Sequence, residues 1–331
     1  MHEREKRKLR SRLLAWYGQN HRDLPWRRTR DPYRIWVSEI MLQQTRVAAV
    51  LGYYRDFLRR FPNLRALAAA RPESVLAAWS GLGYYRRARA LHAAARVIVR
   101  QHKGRIPRTA EGWRELPGVG RYTAAAVASI AFGEPVAVVD GNVERVLRRL
   151  LGKRRRFAAS ELWQSANALL SRSRPGDFNQ AMMELGATVC LPHSPRCPEC
   201  PLARWCKTRG DIGRSASARR QRRSVTYGLS ATTDAVCLVQ RPARASLMPG
   251  MWELPEVRRA GRGSRRPTIT LRHASIMLRH SIMNTDYAVN VIRVSRTRRS
   301  HRGRWIARRR LGRLPLTGLA RKILRRAALI Q

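Results

Sequence analysis

The stretch Leu116-Pro117-Gly118-Val119-Gly120-Arg121-Tyr122-Thr123-Ala124 decides how the first half of this chain folds. A helix ending at Pro117, a turn opened by Gly118 and Gly120, and an Ala-rich helix after it predict a tight helical hairpin. The N–H groups that begin the second helix lack partners within it, and with the helix dipole they suit a DNA phosphate. A Gly-x-Gly turn alone also serves ordinary helix connections.

Further along, Val138-Val139-Asp140-Gly141-Asn142-Val143 leads into an apolar stripe of Val143, Val146, Leu147 and Leu150. Asp140 then falls at a helix N-terminus, where the dipole favours its charge; a plain N-cap would look the same. Upstream, Asp31-Pro32 places a capping residue before a proline at the first helical position, so a helix begins there. That helix carries Trp36, Glu39, Ile40, Met41 and Gln43. A carboxyl among Trp36, Ile40 and Met41 is desolvated, which raises its pKa and fits it for general acid work. The segment by itself equally fits a glutamate paired with one of the many arginines.

From residue 9 to about 190 the pattern is helical and punctuated by Pro and Gly, which predicts a compact all-α domain. Met1 to Trp16 reads as an amphipathic helix rather than a signal peptide. No apolar run approaches the length of a membrane span, so a soluble, intracellular protein is expected. Cys190, Cys197, Cys200 and Cys206 follow C-x6-C-x2-C-x5-C. That spacing favours one [4Fe-4S] cluster over zinc, because zinc ribbons pair two short knuckles and only one is present. Cys237 stands apart in a strand-like segment and reads as a small buried apolar residue.

Residues 210–223, rich in Gly, Ser and Arg, read as a basic linker, and the β-rich texture after residue 224 predicts a smaller α+β domain. The expected division is 1–209, 210–223 and 224–331. Across its 331 residues the chain has 68 Lys and Arg against 21 Asp and Glu, a formal charge of +47. Such an excess points to a polyanionic partner, nucleic acid above all, although GC-rich coding also enriches arginine.

Val37 to Thr45, Gly81-Leu82-Gly83-Tyr84-Tyr85, Leu116 to Ala124 and Val139 to Asn142 together resemble adenine DNA glycosylases of the MutY type, in the same order. The resemblance implies an all-α helix-hairpin-helix glycosylase domain with an iron–sulfur cluster loop, followed by a Nudix-like domain. It implies a monomer working on double-stranded DNA that contains an adenine mispair, in the cytoplasm and at the nucleoid of a bacterium. Glu39 would protonate adenine N7, Asp140 would stabilise or trap the sugar cation, and Tyr122 and Asn142 would support that centre. Gln44, Leu82 and Tyr84 match residues that fill or wedge the duplex beside a flipped base. Trp26, Arg27, Gln43, Gly118, Gly120 and Gln180 are carried over as further substrate or DNA contacts.

Tyr122 stands where glycosylase-lyases resembling endonuclease III carry a Schiff-base lysine, so a monofunctional enzyme is implied. Gln240-Arg241-Pro242 and Pro249 to Pro255 resemble the Nudix-like module of MutY proteins, but Arg258 to Arg266 replace the acidic run that binds Mg²⁺. Aligned on His280, the family's Phe-Ser-His triplet becomes Ile282, Met283 and Asn284, so the hydroxyl expected to contact oxidised guanine is lost. Met283 and Asn284 therefore enter the expected site as changed residues, with a several-fold weaker preference for 8-oxoguanine over guanine. Three alternatives stay open: a thymine or uracil mismatch glycosylase, a damage-sensing protein without catalysis, and an iron–sulfur redox protein.

Overall fold

The computed structural model describes residues 1–152, 158–210, 220–257, 276–282, 284–294 and 303–330. They fall into two compact units, Met1–Ala69 with Ala90–Ser215, and Ala70–Arg89 with Ala216–Gln331. The helices of the N-terminal half are α1 (Glu3–Asn20), α2 (Pro32–Leu42), α3 (Val47–Arg60), α4 (Leu64–Ala69), α5 (Pro72–Ala78), α6 (Arg86–Gln101), α7 (Ala110–Arg114), α8 (Arg121–Phe132), α9 (Gly141–Leu151), α10 (Ala159–Leu169) and α11 (Pro175–Thr188). Among the described residues no strand precedes residue 221, which agrees with the all-α reading.

The boundaries follow local chemistry. Asp31 caps α2 by accepting hydrogen bonds from the Tyr33 and Arg34 backbone N–H groups, and Pro32 opens the helix. Gly133 and Gly152 end α8 and α9 in the left-handed conformation that glycine adopts without strain. Tyr33 and the whole run from Ile35 to Met41 are buried, so α2 is enclosed on every side. Its neighbour α8 is as deeply enclosed, from Thr123 to Ile130. A second part of this core gathers Leu9 and Leu13 of α1, Val146 and Leu147 of α9, and Phe178, Met182 and Leu185 of α11.

The second unit is built on two three-stranded sheets. In one, β1 (Gln221–Leu229) runs parallel to the central β5 (Thr285–Arg293), which pairs antiparallel with β4 (Ile276–Ile282). In the other, β2 (Ala235–Gln240) lies between β3 (Trp252–Glu253) and β6 (Arg304–Ala307), both antiparallel to it. Two further helices, α12 (Arg308–Leu311) and α13 (Gly318–Arg326), complete it, and Thr317 caps α13. Leu319, Ile323 and Leu324 of α13 share a core with Leu238, Trp252, Val289 and Val291. Cys237 is buried in β2, as expected of it.

Ala70–Arg89, which the sequence placed inside the block 1–209, groups with the C-terminal residues. The Ser80 hydroxyl donates to the Leu316 carbonyl at 2.7 Å, and the Tyr85 hydroxyl donates to the same carbonyl at 3.3 Å. Both side chains are buried, so these bonds satisfy groups that water does not reach. Residues 211–219 of the expected linker, Arg258 to Arg266 and Met283 lie outside the described residues.

Candidate active site

Glu39 lies within the enclosed stretch of α2 and is 5% exposed. The Tyr122 hydroxyl, from the first turn of α8, donates to Glu39 Oε2 at 2.7 Å and approaches Met183 Sδ at 3.4 Å. Burial raises the Glu39 pKa to about 7. The Tyr122 hydrogen bond and the Arg27 charge oppose that rise, while the Asp140 charge reinforces it. The same burial, together with the neighbouring carboxylates, holds the Tyr122 phenol well above its ordinary range. A carboxyl with its pKa near neutrality holds a proton and can part with it under physiological conditions, as a general acid must.

Asp140 is the N-cap of α9, as its sequence neighbours predicted, and accepts from the Val143 N–H at 2.7 Å. Its other oxygen accepts from Asn142 Nδ2 at 2.9 Å. Cap and functional carboxylate are therefore compatible here, since each oxygen is fixed by a different donor. Asn142 is itself held, because Arg145 Nη2 donates to its Oδ1 at 2.9 Å. The same guanidinium donates to the Gly186 carbonyl at 2.6 Å and, through Nε, to the Cys190 carbonyl at 2.7 Å. A β-carbon at Gly186 would lie 2.6 Å from Asn142 Cβ, so only glycine lets α11 pass this close to α9.

Sequence reasoning missed Glu184. It is wholly buried on α11 and receives Arg22 at both carboxylate oxygens, with Arg27 Nη2 at 2.7 Å. These guanidinium bonds outweigh desolvation and bring its pKa down to about 2. A signal was present: Glu184 lies between Met182 and Leu185 in an apolar stretch of a chain poor in acids. Glu184 thereby fixes Arg27, whose charge acts on Glu39. Trp26 beside it is buried edge-on to Tyr54, with ring centroids 5.2 Å apart. Gln180, one turn before Met183 on the same face of α11, is buried as well.

The hairpin turn forms at its glycines, but the first helix, α7, ends at Arg114 and residues 115–118 are already turn, so the helix expected to run to Pro117 stops short of it. Gly118 takes φ of +73°, and a β-carbon there would lie 2.3 Å from Ala90 Cβ. Gly120 is exposed and caps α8, leaving its first N–H groups open to a ligand. Gln43 Nε2 donates to Thr123 Oγ1 at 3.1 Å, tying the end of α2 to α8. Gln44 is exposed with φ of +56°, a conformation that costs a non-glycine residue energy. In the second unit, Leu82 is buried, whereas Tyr84 is 49% exposed at φ of +49° with Arg87 over its ring. The described residues thus give Leu82 a packing role and leave Tyr84 as the protruding ring.

The four cysteines are free thiols on the loop after α11, all half-buried. Cys190, Cys200 and Cys206 pack with Trp205 against the core around Leu202. Burial pushes the Cys200 thiol up to about 11, and charge on each of the other three would raise it further, so the sulfurs share one neighbourhood. Arg149 Nη1 points at Cys190 Sγ from 3.3 Å, and the Arg209 N–H at Cys206 Sγ from 3.5 Å. Apolar walls with N–H donors aimed at sulfur fit a thiolate-bound cluster. Among the described residues, however, no three His, Cys, Asp or Glu already stand as a closed metal-ligand set.

Residues 37–171 match the model of the HhH-GPD superfamily of base excision DNA repair proteins. The chain is 50% identical over 214 residues to the adenine DNA glycosylase of Homo sapiens, covering 61% of this chain and 39% of that protein. It therefore spans about two fifths of the length of that relative. A thermostable thymine-DNA glycosylase has a similar structure, with TM-score 0.58 and 33% identity over 62% of this chain and 96% of that one. A non-covalent endonuclease III–DNA complex matches with TM-score 0.54 and 25% identity, over 63% of this chain and 97% of that one. The chain belongs to the HhH-GPD superfamily of base excision DNA repair proteins, and within it is similar to the adenine DNA glycosylases.

Proposed function

We propose that the protein is a monofunctional adenine DNA glycosylase that excises adenine opposite 8-oxoguanine or guanine. The observation that carries this reading is the pairing of Glu39, raised to about 7 and bonded to Tyr122, with Asp140 fixed by two N–H donors. With a flipped adenine between them, Glu39 gives its proton to N7, and the C1′–N9 bond breaks with its electron pair leaving on the base. Asp140 stabilises the cation left on the sugar. Water then adds at C1′ and returns a proton to the Glu39 carboxylate, completing hydrolysis. Tyr122 offers no amine, so no Schiff base forms and the strand stays intact.

Glu39, Tyr122, Asp140 and Asn142 all come from one unit of one chain, which supports action as a monomer. Such an enzyme works beside chromosomal DNA, which in a bacterium is the cytoplasmic nucleoid. No helix among the described residues is long and apolar enough to cross a membrane. A [4Fe-4S] cluster held by Cys190, Cys197, Cys200 and Cys206 would stiffen the loop that Arg145 and Arg149 brace. The sheets of the second unit, with the Trp252 and Glu253 strand, support a Nudix-like module, and the arginines from Arg258 to Arg266, in place of an acidic Mg²⁺-binding run, support its lacking hydrolytic activity. At its β4–β5 turn Asn284 is exposed, and the Ser281 hydroxyl is engaged by Asp286 Oδ1 at 2.6 Å. Of Ser281 and Asn284, the two donors expected for oxidised guanine, Asn284 makes no side-chain hydrogen bond among the described residues, which supports a weakened preference for 8-oxoguanine.

The likeness to a thymine-DNA glycosylase favours a second reading, excision of mispaired thymine, but at lower identity than the likeness to adenine glycosylases. Duplexes bearing A opposite 8-oxoguanine, A opposite G, or T opposite G decide between them. Adenine release with strand breakage only after alkali is the expected result. Thymine release, or nicking without alkali, contradicts it.

A further inference from the structure

A groove of about 1000 Å³ runs between the N-terminal half of α1 and the segment joining α10 to α11. No residue of the candidate active site or of the hairpin lines it. In so basic a chain, charge alone distinguishes little; what sets this groove apart is how its cations are disposed. Lys6, Arg7 and Arg10 stand on one wall and Arg172 and Arg174 on the other, with Glu3 as the one acid in the lining.

Glu3 is already engaged, since Arg10 Nη1 reaches its Oε1 at 2.6 Å and Lys6 lies 3.5 Å from its Oε2. Arg10 is further pinned by the Leu169 and Ala168 carbonyls, at 2.9 and 3.1 Å. Arg174 is paired with Asp177 at 2.9 Å. Arg7 and Arg172 are exposed and make no ion pair among the described residues. Ser11, Ser171 and Ser173 line the same space, the last two with their hydroxyls 3.4 Å apart. Guanidinium forks with hydroxyls around a concave surface form the donor set that phosphate groups take.

The geometry points to this groove as a second anion site, one that takes phosphodiesters of duplex DNA outside the stretch held by the active site. It rests on the glycosylase reading only in assuming that duplex DNA is the ligand. Bound length is then longer than the catalytic footprint requires, and part of the affinity is independent of the mispair. Arg7 and Arg172 are the contacts that bind without first breaking a partner.

The test uses the full chain and fluorescent duplexes of about 12 base pairs, little more than one helical turn, and about 40 base pairs. Arg7→Gln with Arg172→Gln is compared with a control, Arg55→Gln with Arg100→Gln, which removes equal exposed charge elsewhere. The groove variant is expected to bind the long duplex about tenfold more weakly, with the slope of log affinity against log salt shallower by about 2. Its short-duplex binding and excision stay at wild-type level, and the control changes neither length. An unchanged long-duplex slope, or an equal loss in the control, overturns the proposal. So does inorganic phosphate bound by wild type but not by the variant, with no dependence on duplex length, since that marks a free-anion site. Failure of adenine excision by wild type on the short duplex would refute the glycosylase reading separately.

Discussion

The role proposed for Glu39 rests on its environment rather than its type. Its pKa stands near 7 because the fold encloses it, so the fold prefers the protonated form. Its stabilising contribution is whole below pH 4.5, the ordinary value, and is lost as pH rises through 7. Glu39→Gln removes that loss, and urea unfolding at pH 8 should show the variant more stable than wild type by up to about 3 kcal/mol, with little difference at pH 4.5. Equal stability at both pH values would mean that the carboxyl is not desolvated. Arg145 acts through others, since one guanidinium holds Asn142, Gly186 and Cys190 together. Arg145→Lys keeps the charge but cannot reproduce three directed bonds, so the excision rate should fall tenfold or more while Kd for the duplex stays within about threefold. A proportional loss of binding and rate would instead indicate general unfolding.

At the scale of elements, the hairpin is where packing and function meet. Gly118 combines φ of +73° with a neighbour that leaves no room for a side chain. Gly118→Ala should lower stability by about 2 to 4 kcal/mol, adding left-handed strain to a clash, and should weaken DNA binding because the N-terminus of α8 shifts. Thermal melting and anisotropy together check this; a stable variant with normal affinity would remove the hairpin from the binding surface. Much here was legible in the sequence. Asp31-Pro32 announced α2, Asp140 announced α9, and the glycines announced the turn, because capping and left-handed turns depend on local residue chemistry. The partnership of β1 with β5 was not legible, since a parallel pair joins residues far apart and leaves no turn signature. Glu184 was missed for a related reason: its partners Arg22 and Arg27 lie on a segment distant in sequence.

At the scale of the whole molecule, Cys190, Cys200 and Cys206 sit against the core that α1, α9 and α11 share, so a cluster bound there would stabilise the same helices that carry Asp140 and Glu184. Purified protein should contain close to four iron atoms per chain, and Cys200→Ser should lose iron and melt earlier; zinc in place of iron would overturn the assignment. The central claim is that Glu39 is the proton donor for adenine release. The most direct test is single-turnover excision by wild type and Glu39→Gln on a duplex with adenine opposite 8-oxoguanine, measured beside Kd for the same duplex. The account predicts that excision by Glu39→Gln falls by at least about a thousandfold while Kd is retained, and that the wild-type rate declines as pH rises above 7. Near-normal excision by Glu39→Gln would contradict it.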